Sequence, residues 1–185
     1  MSTQIRDQSA GYHHVFTRGN NKRITYTNDA DCWFFCTTVN RIAKKHGWSI
    51  VAYCLMRNHY HLVIVVGGKG LAAGMCELNT AYAVHYNKQH GRINHLFGKR
   101  YGSKPLRTEA AVMNALRYVV QNPWRAGGKR ALRAYAWSSY AATVGTDFAR
   151  ITLDRDAALS FFGTTPATAI ESYKEFCSRS VFLAR

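Results

Sequence analysis

Two histidines, His59 and His61, stand one residue apart in the run HYHLVIVV at 59–66. In an extended strand, residues i and i+2 project from one face. Both imidazoles then sit side by side while Tyr60 points away. Imidazole nitrogen suits Mn2+, Zn2+ or Fe2+, and two such ligands leave most coordination positions open. An open cation is what phosphodiester chemistry uses, because phosphate oxygens must bind and be polarised. The same spacing also fits two hydrogen-bonded surface histidines. The purely apolar LVIVV that follows places the pair at the start of a central strand, which favours the first reading.

A second group lies in ALRYVVQNPWRAG at 115–127. Tyr118 and Asn122 are four residues apart on a predicted helix, hence on one face. A phenol can hold a phosphoryl group covalently. That link keeps the energy of the broken bond, so a strand could be rejoined without ATP. The side-chain oxygen of Asn122 could supply a third metal ligand. The chain has 11 tyrosines, most of them expected in core or stacking roles, and Asn-Pro is also a common helix stop. Tyr101, in a basic run with Lys99 and Arg100, is the rival nucleophile.

The elements that must position these residues are legible in pattern. Residues 12–18 read as a strand, and GNN at 19–21 breaks it. A helix runs from a cap at Asn28 or Asp29 to about His46, with Trp33, Phe34, Val39 and Ile42 as its apolar stripe and Gly47 as its end. Residues 48–56 and 59–66 form a hairpin turned at Arg57 and Asn58. A helix from about Leu71 to Gln89 follows, then an edge strand or loop within 95–107. A helix runs from Thr108 to Gln121, stopped by Pro123. The order β-α-β-β-α-β-α predicts an α+β, ferredoxin-like (RRM-like) antiparallel sheet backed by helices. Residues 132–145 read as a loop, and helices at 154–162 and 166–178 as a short C-terminal helical tail. The expected divisions are a lead-in at 1–10, a main domain at 11–145 and the tail at 146–185.

Lys and Arg total 25 against 10 acidic residues, a net charge of +15. A fold does not require that excess, and a polyanionic partner explains it. Arg18, Lys22, Arg23, Lys99, Arg100, Lys104 and Arg107 are the expected phosphate contacts, with Tyr101 able to stack on unpaired bases. The five cysteines fall at irregular spacings without a CxxC pair, which speaks against a zinc ribbon and for reduced thiols. The polar N-terminus and the lack of a long apolar run point to the cytoplasm and away from a membrane. Few acidic residues, none beside the histidine pair, argue against a carboxylate-bridged phosphatase.

Five segments together resemble a known family: YHHVFTRGNNKR at 12–23, AYCLMRNHYHLVI at 52–64, the run from Gly74 to Ser103, RYVVQNPWRAG at 117–127 and WSSY at 137–140. They resemble the IS200-like Y1 transposases, most closely the REP-associated tyrosine transposases, over about residues 11–145. The resemblance implies an HUH endonuclease fold, with His59 and His61 as metal ligands, Tyr118 as nucleophile and Asn122 completing the site. It implies a single-stranded DNA endonuclease and strand transferase acting near hairpin (REP-like) sequences. Its expected intermediate is a 5′-phosphotyrosine, its cofactor a divalent metal (Mg2+ or Mn2+), and its state a monomer or homodimer. The chain departs from the family with Arg57 beside the histidines, where proline is usual, and with Trp124 after Pro123. The alternative is a non-catalytic single-stranded DNA or RNA-binding module of the same fold.

Overall fold

The computed structural model describes residues 9–68, 70–127 and 132–179. Four strands form one antiparallel sheet: β1 (Gly11–Arg18), β2 (Trp48–Met56), β3 (His59–Val66) and β4 (Gly102–Leu106), in the order β2-β3-β1-β4. This is the expected α+β arrangement.

The helices between the strands start and stop where their side chains cap them. In α1 (Asp29–His46), Asn28 and Asp31 form a reciprocal capping box. Acidic residues fill the first turn, basic ones the last, and Gly47 turns the chain out at φ 67°. α2 (Ala72–Gln89) lies beside α1, and together they cover one face of the sheet. Into that face go Val15 from β1, Tyr53 and Leu55 from β2, and Tyr60, Leu62 and Ile64 from β3. They meet Phe35, Val39 and Ile42 of α1 and Met75, Leu78 and Tyr82 of α2. Burying each large apolar side chain contributes about 1.5–3 kcal/mol. Trp33 is not part of the stripe. It is 41% exposed and stacks parallel to Phe148, while Cys32, Phe35 and Cys36 take the inward positions. Val39 and Ile42 hold the expected stripe, and Phe34 is half-buried against it.

The second face is also covered. α3 (Glu109–Val120) packs Val112, Leu116 and Val119 against Ala52, Cys54 and Val63. A β-bulge at Val51 lets two consecutive residues of β2 point to this side. Pro123 does not end the helical path. It sits in the first turn of a one-turn helix, α4 (Asn122–Arg125), where a missing N–H costs nothing. The segment read as a loop at 132–145 contains a 3-10 turn (Leu132–Ala134) and α5 (Tyr140–Thr143). Its Trp137–Ser139 stretch lies along the outer edge of β2, with Leu55 N–H donating to Trp137 O and Ser139 N–H to Tyr53 O. Finally α6 (Arg155–Leu159) and α7 (Pro166–Ser178) add Ala158, Tyr173 and Cys177 to the second core, and Phe162 from the turn between them joins it. Among the described residues, no helix is long and apolar enough to cross a membrane.

Candidate active site

One end of the second face is left uncovered, and the residues singled out by spacing meet there. β1 and β3 pair so that Phe16 lies opposite His61 and Arg18 opposite His59. Alternation sends Tyr60 the other way, into the core, where Thr17 donates to its hydroxyl and the hydroxyl donates to Asn79. His59 and His61 stay on the open side with ring centroids 5.1 Å apart. Gly102 of β4 makes room for this arrangement, since a Cβ there would collide with the Phe16 ring at 2.4 Å.

The tyrosine arrives from above. Thr108 caps α3 by accepting from Ala111 N–H, and the helix crosses the sheet toward the histidines. The Tyr118 ring stands edge-on to His61 at 5.4 Å and to His14 at 5.6 Å between centroids. The Arg125 guanidinium lies 5.3 Å from its centre on the other side. Tyr118 is 36% exposed, which keeps it open to the groove. Asn122, one turn on, is buried. Its Nδ2 donates to Tyr118 O at 2.9 Å, which leaves Oδ1 for other partners. The Asn122 side chain also hydrogen-bonds the His59 ring.

Burial sets the protonation of the imidazoles. It pushes the His61 pKa down to about 2, helped by the neighbouring His14, His59 and Arg18. It takes His14 down to about 4, with Lys104 adding to the effect. His59 is also lowered by burial and Arg18, against the pull of Asn122. All three rings are neutral at neutral pH and carry lone pairs. His59 Nδ1 lies 2.6 Å from Asn58 Oδ1, whose own Nδ2 donates to Lys22 O. Two neutral imidazoles and an amide oxygen suit a divalent metal that keeps open positions. Among the described residues, no group of three or more His, Cys, Asp or Glu side chains is arranged to hold a metal ion; the polar side chain beside the two rings is the neutral amide of Asn122.

The groove holds about 770 Å3 and is lined by both histidines, Tyr118, Arg18, Lys104, Arg117 and Arg125 among others. Of the expected phosphate contacts, Arg18 and Lys104 face it directly. Lys22 and Arg23 lie on one loop and Lys99 and Arg100 on another; a β-bridge between Gly19 and Phe97 joins these loops beside the histidine end of the sheet. Arg107 is exposed at the far end of β4. Tyr101 is a correction. It is 6% exposed and packed in the core with Val15 and Tyr82, so its ring is closed to bases and its hydroxyl to phosphate. Sequence reasoning missed His14, Phe16, Arg117 and Arg125. His14 and Phe16 share the parity of Arg18 along β1, a signal usable only once the pairing of β1 with β3 is known.

The fold matches a solved structure described as a REP-associated tyrosine transposase bound to a REP hairpin. The TM-score is 0.65 at 14% identity, over 78% of this chain and 86% of that one. A protein of Deinococcus radiodurans R1 described as a transposase aligns at TM-score 0.44 and 13% identity, over 71% of this chain and 100% of that one. No curated protein sequence matches the chain. The sequence model of the family described as Transposase IS200 like matches residues 7–122, from the start of the sheet to the groove amide. That span exceeds half of the 185 residues, and the chain belongs to the IS200-like transposases.

Proposed function

We propose that this protein cleaves and rejoins single-stranded DNA, with Tyr118 as nucleophile and a divalent cation (Mg2+ or Mn2+) held by His59, His61 and Asn122. The observation that carries this reading is the placement of the Tyr118 ring 5.4 Å from that of His61 across an open, basic groove of the same chain. A cation held by His59, His61 and Asn122 would supply Lewis acidity toward the scissile phosphate. Arg18 and Lys104 attract and orient the DNA backbone along the groove. The Tyr118 oxygen attacks phosphorus in line, its proton passing to solvent. An O–P bond to Tyr118 forms, the P–O3′ bond breaks, and the leaving oxygen takes up a proton as a free 3′-OH. The product is a 5′-phosphotyrosine, and a later 3′-OH reverses the step. The Tyr118 ring beside His61 in the same chain supports attack in cis.

Hairpin-bearing single strands are the proposed substrates, on the strength of the fold shared with the hairpin-bound structure and of the basic loops around Lys22, Arg23, Lys99 and Arg100. Incubation of the protein with end-labelled hairpin oligonucleotides and Mn2+ tests the proposal. The expected product is a protein–DNA conjugate that survives denaturing electrophoresis and is absent without the cation. Binding without any conjugate would assign the chain to the non-catalytic alternative.

A further inference from the structure

His14 has no part in the donor set above, yet it contacts that set directly. Val63 lies opposite His14 in the β1–β3 register, which makes His14 and His61 diagonal neighbours on one face. His14 Nε2 is 2.9 Å from His61 Nδ1, and the two rings stack with centroids 5.0 Å apart. Phe16 and Tyr118 wall the His14 ring on its other sides. With Nδ1 of His61 engaged, Nε2 is the nitrogen left for the groove.

A single proton decides what that nitrogen can do. If His14 donates, His61 carries its proton on Nε2 and cannot ligate a cation. If His14 accepts, the proton sits on Nδ1 and Nε2 offers a lone pair. His59 offers a parallel: its Nδ1 faces Asn58 Oδ1, which can only accept, so a proton on Nδ1 satisfies that contact.

We propose that His14 is a positioning residue that accepts the Nδ1–H of His61 and so keeps the Nε2 lone pair of His61 directed into the groove. Partners of this kind fix the tautomer and the orientation of ligating histidines, and their loss typically costs about 10–100-fold in metal affinity or activity. The inference rests on the reading of His59, His61 and Asn122 as a cation site.

Long-range 1H–15N correlation spectra of the full-length, metal-free protein test the tautomer without any substitution. The expected signature is Nδ1–H with bare Nε2 for His61; a proton on Nε2 overturns the proposal. Two variants then test the consequence. His14→Phe keeps a ring against Tyr118 but removes the acceptor, and His14→Gln restores an acceptor near the same place. Calorimetric titration with Mn2+ should show affinity falling about 10–100-fold in His14→Phe and largely recovered in His14→Gln. Wild-type affinity in a folded His14→Phe overturns the role. Failure of the underlying site reading looks different: the wild type itself takes up no Mn2+, and the tautomer spectrum alone then decides whether His14 accepts.

Discussion

The two faces of the sheet are made from the same strands and have opposite fates. Tyr60 and Tyr118 show this best. Tyr60 lies between the two histidines in sequence but is fully buried, and burial raises its pKa well above that of an ordinary phenol. Tyr118 comes from a distant helix and stands at the groove, more than a third exposed. One phenol is structural and the other is available, although sequence position favours the first. Alternation decides the matter, because residues that share a face share an environment. The α1/α2 face is sealed and apolar, while the α3 face is sealed at one end and open at the histidine end.

Substitutions can break or sharpen that contrast. Tyr118→Phe should abolish the DNA conjugate on denaturing gels and leave thermal stability nearly unchanged, since exposed sites usually shift it by less than about 0.5 kcal/mol. A conjugate that persists means another tyrosine attacks. On the sealed face, Phe35→Ala should cost about 3–5 kcal/mol in urea unfolding, with no selective effect on cleavage by the remaining folded protein. Normal stability there would contradict the packing described.

Acid should act through the open end. In metal-free protein the folded pKa values of His61 and His14, about 2 and about 4, lie below the ordinary 6.5. The unfolded chain therefore binds protons that the native state refuses. Stability is fully present above about pH 6.5 and declines below it, by up to about 1.4 kcal/mol per pH unit for each histidine. Both contribute down to about pH 4, and only His61 below that. Urea midpoints measured from neutral pH downward check this, and a flat series would argue that the rings are not held neutral.

Gln121 tests how the tyrosine helix is anchored. Its buried Nε2 donates to Cys177 O and Arg179 O at the end of α7. Gln121→Leu should lower stability by about 1–3 kcal/mol, as carbonyls lose their donor. The smallest effect is expected from Lys104→Ala, which should weaken oligonucleotide binding evenly across sequences and reduce the salt slope by about 1. An unchanged slope in a fluorescence titration would place Lys104 off the DNA path.

Local signals carried most of the fold. The bounds of β2 and β3, the Asn28 cap and the Gly47 end were readable because short-range patterns and backbone stereochemistry determine them. The histidine pair was legible for the same reason, as was the Tyr118–Asn122 spacing. What was not legible depends on contacts distant in sequence. Trp33 falls outside the stripe because Cys32, Phe35 and Cys36 hold the inward positions of the first turns, which tertiary packing decides. Tyr101 looked available because its neighbours Lys99 and Arg100 are basic, but the path of β4 turns it inward. His14 was invisible because only the pairing of β1 with β3 reveals it.

Both margins of the sheet discourage further strands. On one side Trp137–Ser139 already occupies backbone donors and acceptors of β2. On the other, β4 is five residues long and contains Pro105, which has no N–H to offer. Continuing one ladder into a second copy is thus disfavoured at both margins, which guards a strongly basic chain against edge-to-edge aggregation.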